Sequence, residues 1–144
     1  MGYIESNLLS DEQLVYTARL HWIIFLKPLA LVFLGLIFLL LQPIIAALVV
    51  LIGLAASVPP VVDYVSSEFG VTNKRVIIKV GLVRRRTLEL LLRHVEAISV
   101  DQSVTGRILD FGSLTLTGTG GVTELFHKVR SPLEFRRRIQ GAAS

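Results

Sequence analysis

The sequence predicts a helical membrane hairpin followed by a small, mainly β domain that ends in one helix. Three observations carry this. Residues 22–41 and 44–62 are two apolar runs separated only by Gln42-Pro43. After Ser67 the chain breaks into short alternating runs punctuated by Asn, Gly and Asp. From Ser131 the residues carry the start signal and the spacing of one amphipathic helix. The implied organisation is a segment 1–21, a hairpin 22–63 and a domain 64–144.

Composition agrees with an anchored module. The chain has 144 residues, 52% of them hydrophobic, and a mean hydropathy of +0.65. The apolar residues concentrate between Trp22 and Val62. There is no cysteine, which excludes disulfides, thiolate metal sites and a cysteine nucleophile. The net charge is +4, and residues 64–144 hold 13 Lys/Arg against 7 Asp/Glu. A basic domain beside a membrane is drawn to anionic head groups by about 1 kcal/mol per well-placed cation.

The first segment reads two ways. Ser10-Asp11-Glu12-Gln13 has the form of a capping box opening a helix. Tyr16, Ala18 and Leu20 alternate with Thr17, Arg19 and His21, which is strand periodicity, and a strand over 13–20 is preferred. Its partner can only be the C-terminal sheet.

The run 22–41 contains one charge, Lys27, and as a helix would be about 30 Å long, the thickness of the hydrocarbon core. Lys27 is near enough to the entry to snorkel. In 44–62 only Ser57 is plainly polar, and Pro43 suits a first helical turn. A cleaved signal peptide would sit closer to the N-terminus with a prompt cleavage site. A buried soluble hairpin would need polar faces that Ala30–Leu41 and Ile44–Gly53 lack. Pro59-Pro60 predicts a kink, or a stop at Val58 that leaves a shallow insertion. Arg19 and Lys27 flanking the entry to the hairpin, and Lys74, Arg75 and Lys79 following its exit, place both termini in the cytoplasm. Trp22 and Tyr64 then stand at the membrane interface.

In the C-terminal part, 68–72 and 75–80 read as strands around an Asn73-Lys74 turn. Leu82–Leu92 is β-capable, although Leu88–Leu91 suit a helix equally. Val95–Ser103 alternates, and Thr105–Asp110 reads as a helical turn. Leu114 and Leu116 mark a strand, Gly118–Gly121 a hairpin connection and Val122–Val129 its return. Ser131-Pro132-Leu133-Glu134 combines an N-cap, proline at N1 and glutamate at N3. Phe135 and Ile139 share the helical face expected to enter the core, with Arg136, Arg137 and Arg138 largely on the others.

Glu68–Ile139 resembles the bacterial pleckstrin-homology-like domain of the DUF304 type, also called bPH2. The carrying stretches are Val71-Thr72-Asn73-Lys74-Arg75-Val76-Ile77 with Gly81, Val95-Glu96-Ala97-Ile98-Ser99-Val100, Gly106-Arg107-Ile108-Leu109-Asp110-Phe111-Gly112 and Val129-Arg130-Ser131-Pro132-Leu133-Glu134-Phe135. Leu9–Tyr16 followed by two membrane helices is similar to the way such proteins often begin. The resemblance implies an antiparallel β-sandwich or partly open barrel capped by a C-terminal helix, at the bacterial cytoplasmic membrane. It implies little about activity.

No motif argues for an enzyme, a metal or a cofactor. His21, His94 and His127 are isolated, Gly118–Gly121 lacks the lysine of a phosphate loop, and Gly-x-Ser-x-Gly is absent. Asp101 and Asp110 suit backbone capping. The basic runs are the candidate site. Lys74, Arg75 and Lys79 loosely resemble the first-hairpin cations of eukaryotic pleckstrin-homology domains, and Arg84, Arg85 and Arg86 form a second run. The expected function is a non-enzymatic, membrane-anchored module that binds anionic lipid head groups or a protein. The alternative is a structural subunit that self-associates or joins another membrane protein through a sheet edge or the hairpin surface. Nucleic acid is not expected, because the cations are not interleaved with exposed aromatics. A membrane enzyme has only Lys27 as its motive.

Overall fold

The computed structural model describes residues 2–144 and divides into two compact units. One is the apolar stretch Trp22–Val65; the other combines the chain up to His21 with Ser66–Ser144.

The discontinuous unit begins with a four-residue helix, α1 (Tyr3–Ser6), that the sequence does not announce. Strand β1 (Leu14–Ala18) follows, within the expected 13–20. The alternation of Tyr16 and Ala18 prevails over the capping-box signal. Glu12 still reaches back three residues to the Leu9 amide (3.0 Å), but this closes a turn, not a helix.

The apolar unit opens with a 3-10 turn, Trp22–Phe25, and α2 (Leu26–Phe38). This is shorter than the expected helix over 22–41. Pro28 lies in the first turn of α2, the one place where a missing donor costs nothing, so it fixes the start. Pro43 disfavours helical backbone at the residue before it, so the chain turns over Leu39–Gln42. Helix α3 (Pro43–Ser66) has 24 residues and is about 36 Å long. It runs through Pro59 and Pro60, so the alternative of a stop at Val58 does not hold. The two helices approach closely at small residues. A Cβ at Gly35 would come within 2.6 Å of Val50, and one at Gly53 within 2.8 Å of Val32. Most other side chains face outward, including Leu29, Phe33, Leu40, Ile44 and Leu51.

The β-rich unit continues with β2 (Glu68–Thr72), β3 (Arg75–Val80), β4 (Arg86–Leu91), β5 (Val95–Asp101), the short helix α4 (Val104–Leu109), β6 (Phe111–Gly118), β7 (Thr123–Arg130) and α5 (Pro132–Ala143). Strands β1-β2-β3-β4 make one antiparallel sheet and β5-β6-β7 another. Strand β1 pairs with β2 through Tyr16–Val71, Thr17–Gly70 and Ala18–Phe69, so the apolar hairpin is an insertion between two neighbouring strands. Just past β1 the chain changes sheets. Leu20 bridges Val129, the Arg130 amide donates to the Arg19 carbonyl (3.0 Å), and the His21 amide donates to that of Lys128 (2.8 Å). One corner of the sandwich is thereby joined, and the barrel is not closed.

Helix α5 fills the space between the sheets. Phe135 and Ile139 are fully buried, as their spacing predicts. The Phe69 ring meets Phe126 and Phe135 edge-on at 5.7 and 6.3 Å. The helix start differs from expectation. Ser131 is left-handed (φ 49°); its hydroxyl donates to the Asp110 carboxylate and accepts from no helix amide. With Ser131 so turned, no capping box forms, and Glu134 instead pairs with Arg138 (2.8 Å).

Candidate functional site

The outer face of the four-stranded sheet carries two of the cations that the sequence singles out, Arg75 and Lys79. Pairing places Gly70 beside Ile77 and Ile77 beside Glu89, with Arg75 and Lys79 on the same face of β3. Ile77 is nevertheless fully buried, because the N-terminal segment lies over this face. Ile4 seats against Gly70, where a Cβ would come 2.7 Å from its Cδ1. Glu68 accepts the backbone amides of Tyr3 (2.9 Å) and Ile4 (3.1 Å), which satisfies the open end of α1.

The other end of the segment is held by an ion-pair network. Arg75 donates from Nε and Nη2 to the two oxygens of Glu12, each at 2.9 Å. It also donates to Glu89 (2.5 Å) and to the Asn7 carbonyl (3.0 Å). The Thr72 hydroxyl donates to Glu12 (2.7 Å), and Lys74 pairs with Asp11. Burial alone would raise the Glu12 pKa. The hydrogen bonds from Arg75, the Leu9 amide and Thr72 outweigh it, and the pKa falls to about 2. Glu12 in turn raises the pKa of Arg75 above its usual value.

This geometry reassigns the predicted site residues. Lys74, Arg75 and Lys79 do not form an open basic cluster. The Arg75 guanidinium is bonded on three sides, and Lys79 is buried with its ammonium 5.2 Å from the Tyr3 ring. Of the second run, Arg86 pairs with Glu124 (2.5 Å) and the Arg85 guanidinium lies 5.7 Å from the Tyr3 ring. Arg84 is exposed and makes no ion pair among the described residues. It shares the loop 81–85 with exposed Leu82 and Val83. In the apolar unit, Trp22 and Lys27 are exposed, and the Tyr64 ring lies 5.3 Å from Phe25.

The sequence alone does not pair Glu12 and Asp11 with the basic turn; strand placement does. Once β1 is placed beside β2, two acids just before it fall opposite Lys74-Arg75.

His21 is buried against Phe111 (5.1 Å), and burial lowers its pKa. The His127 ring bonds Ser113 at 3.1 Å, while Asp101 pairs with Ser113 from the opposite strand. The serine thus stands between acid and imidazole, and that carboxylate does not back the histidine as a triad requires. Among the described residues, no three metal-ligating side chains cluster.

The sequence profile of the bacterial PH domain family matches residues 18–143. A DUF1696 family protein with a pleckstrin-homology domain from Shewanella loihica superposes with a TM-score of 0.51 at 11% identity, covering 98% of this chain and 90% of that one. At that identity the likeness is one of fold. No curated protein sequence matches the chain.

Proposed function

The chain belongs to the bacterial PH domain family, and on that premise we propose that it is a non-enzymatic binding or scaffold module anchored in the bacterial cytoplasmic membrane. Residues 22–65 are the anchor, both termini are cytoplasmic, and the PH-like unit works at the inner leaflet on a protein partner, anionic lipid head groups or both.

One observation carries the reading. Helix α3 is 24 residues long and its most apolar 18-residue window has a mean hydropathy of 2.5, yet only 11% of that window is buried. A soluble core helix of that character would be covered. Proteins in water rarely leave apolar patches beyond a few hundred Å² open. The close approaches at Gly35 and Gly53 suit helices that associate in lipid, where small residues let backbones meet. The tip, 39–45, carries no charge, while the cations flank the two inner ends.

Alkaline carbonate extraction of membranes from expressing cells tests the anchor. Retention of the full chain in the pellet is expected, and release into the supernatant refutes it. Lipid analysis of the protein in polymer-excised native discs tests the head-group branch. Enrichment of anionic phospholipid over the bulk membrane supports it, and bulk composition counts against it.

A further inference from the structure

The loop Gly81–Arg85 between β3 and β4 brings large exposed apolar side chains beside unpaired positive charge. Val83 is 96% exposed and Leu82 57%. Arg84 follows directly, and Arg85 touches only the face of Tyr3 among the contacts described. In water this apolar tip gains nothing from its neighbours.

Its position in the sheet supplies the second observation. Ala18 pairs with Phe69, Phe69 with Ile78 and Ile78 with Leu88, and Val80 pairs with Arg86 where the loop closes. The sheet end at which β1 leaves and β2 enters is therefore the end that carries this loop. Residues 19–21 alone connect β1 to Trp22, and Ser67 alone connects α3 to β2. A connection of that length reaches at most roughly 10–15 Å. A bilayer that holds the hairpin thus begins close to that sheet end.

Resting on the anchor reading above, we infer that the loop is a further membrane contact. Leu82 and Val83 enter the interfacial zone, and Arg84 and Arg85 meet phosphate groups of anionic lipids in the same leaflet. The planar guanidinium suits phosphate oxygens two at a time.

Because the chain has no cysteine, single-cysteine probes of the full protein are clean. V83C, Q13C and L51C, each carrying an environment-sensitive fluorophore, would be placed in nanodiscs containing phosphatidylglycerol and a lipid-borne nitroxide quencher. Gln13 precedes β1 at the opposite end of the sheet, and Leu51 is exposed on α3. Strong quenching at 83 and 51, with little at 13, is expected. All-phosphatidylcholine discs should weaken the contact at 83 by up to about fivefold per arginine, and R84E should weaken it in anionic discs. If 83 is quenched no more than 13 while 51 is quenched, the loop contact is refuted and the anchor stands. Quenching at 83 that ignores lipid charge refutes the arginine–phosphate part. Absence of quenching at 51 overturns the anchor reading and the loop contact together.

Discussion

Glu12 and Arg75, 63 residues apart, are joined by two hydrogen bonds of 2.9 Å that fasten the N-terminal segment across the outer face of the first sheet. The Glu12 side chain is fully buried and that of Arg75 nearly so. The pair turns the basic hairpin that resembled a ligand grip into a structural clasp. Of the unpaired candidate cations, it leaves those of the β3–β4 loop exposed.

Breaking the clasp from one side should be costly. Glu12→Ala strands a largely buried guanidinium, and removing one partner of such a pair costs about 3–5 kcal/mol. Glu89 still touches Arg75, so the loss belongs at the lower end. Urea unfolding of the full chain in detergent measures it; a loss well under 1 kcal/mol would mean the pair does not fasten the segment. The double variant E12L/R75M should recover much of the stability, since apolar replacement of both partners is often neutral.

The same carboxylate sets an acid limit. The folded pKa of Glu12 is about 2, against 4.5 for an unperturbed glutamate. A depressed pKa means that the folded state holds fewer protons, so the stabilisation is present above about pH 4.5. It is lost as pH falls toward 2, and it amounts to roughly 3 kcal/mol in all. Thermal unfolding between pH 6 and 3 should show a falling midpoint in the native chain. In Glu12→Gln that fall should be markedly shallower.

Gly70→Val tests the seat of the segment. A Cβ there meets Ile4 at 2.7 Å, and a bulkier side chain must displace it. Faster limited proteolysis between Asn7 and Gln13 is expected, with the β-sheet circular dichroism retained. Unchanged cleavage would show that Ile4 does not depend on the space above Gly70.

Phe135→Ala removes the ring that contacts both Phe69 and Tyr16. A buried Phe→Ala change typically costs about 3–5 kcal/mol. Chemical denaturation should show a loss in this range. The exposed change Arg137→Ala should leave the midpoint nearly unchanged, since it breaks only a 3.4 Å surface contact with Glu134.

Much of the fold is written in local patterns. Alternation located β1, and turn residues located the β2–β3 and β6–β7 hairpins. The Phe135–Ile139 spacing marked the buried face of α5. What stayed hidden depends on partners distant in sequence. Helix α1 is too short to show periodicity, and it is completed by Glu68 far along the chain. Ser131 looked like a cap, but Asp110 claims its hydroxyl. Arg75 looked free because its acid lies on the far side of the inserted hairpin, visible only once β1 is paired with β2. Pro59 and Pro60 signalled a break that α3 does not take.

The membrane sidedness of the inserted hairpin, read from single cysteines in the full chain, decides whether residues 22–65 anchor the protein. L51C, on α3, and V104C, on the exposed α4 of the PH-like unit, would be challenged with a membrane-impermeant maleimide in intact spheroplasts and in inverted vesicles. The anchor reading predicts that L51C resists labelling in both, and that V104C reacts in inverted vesicles but not in spheroplasts. Ready labelling of L51C in inverted vesicles, at the rate seen for V104C, would contradict it.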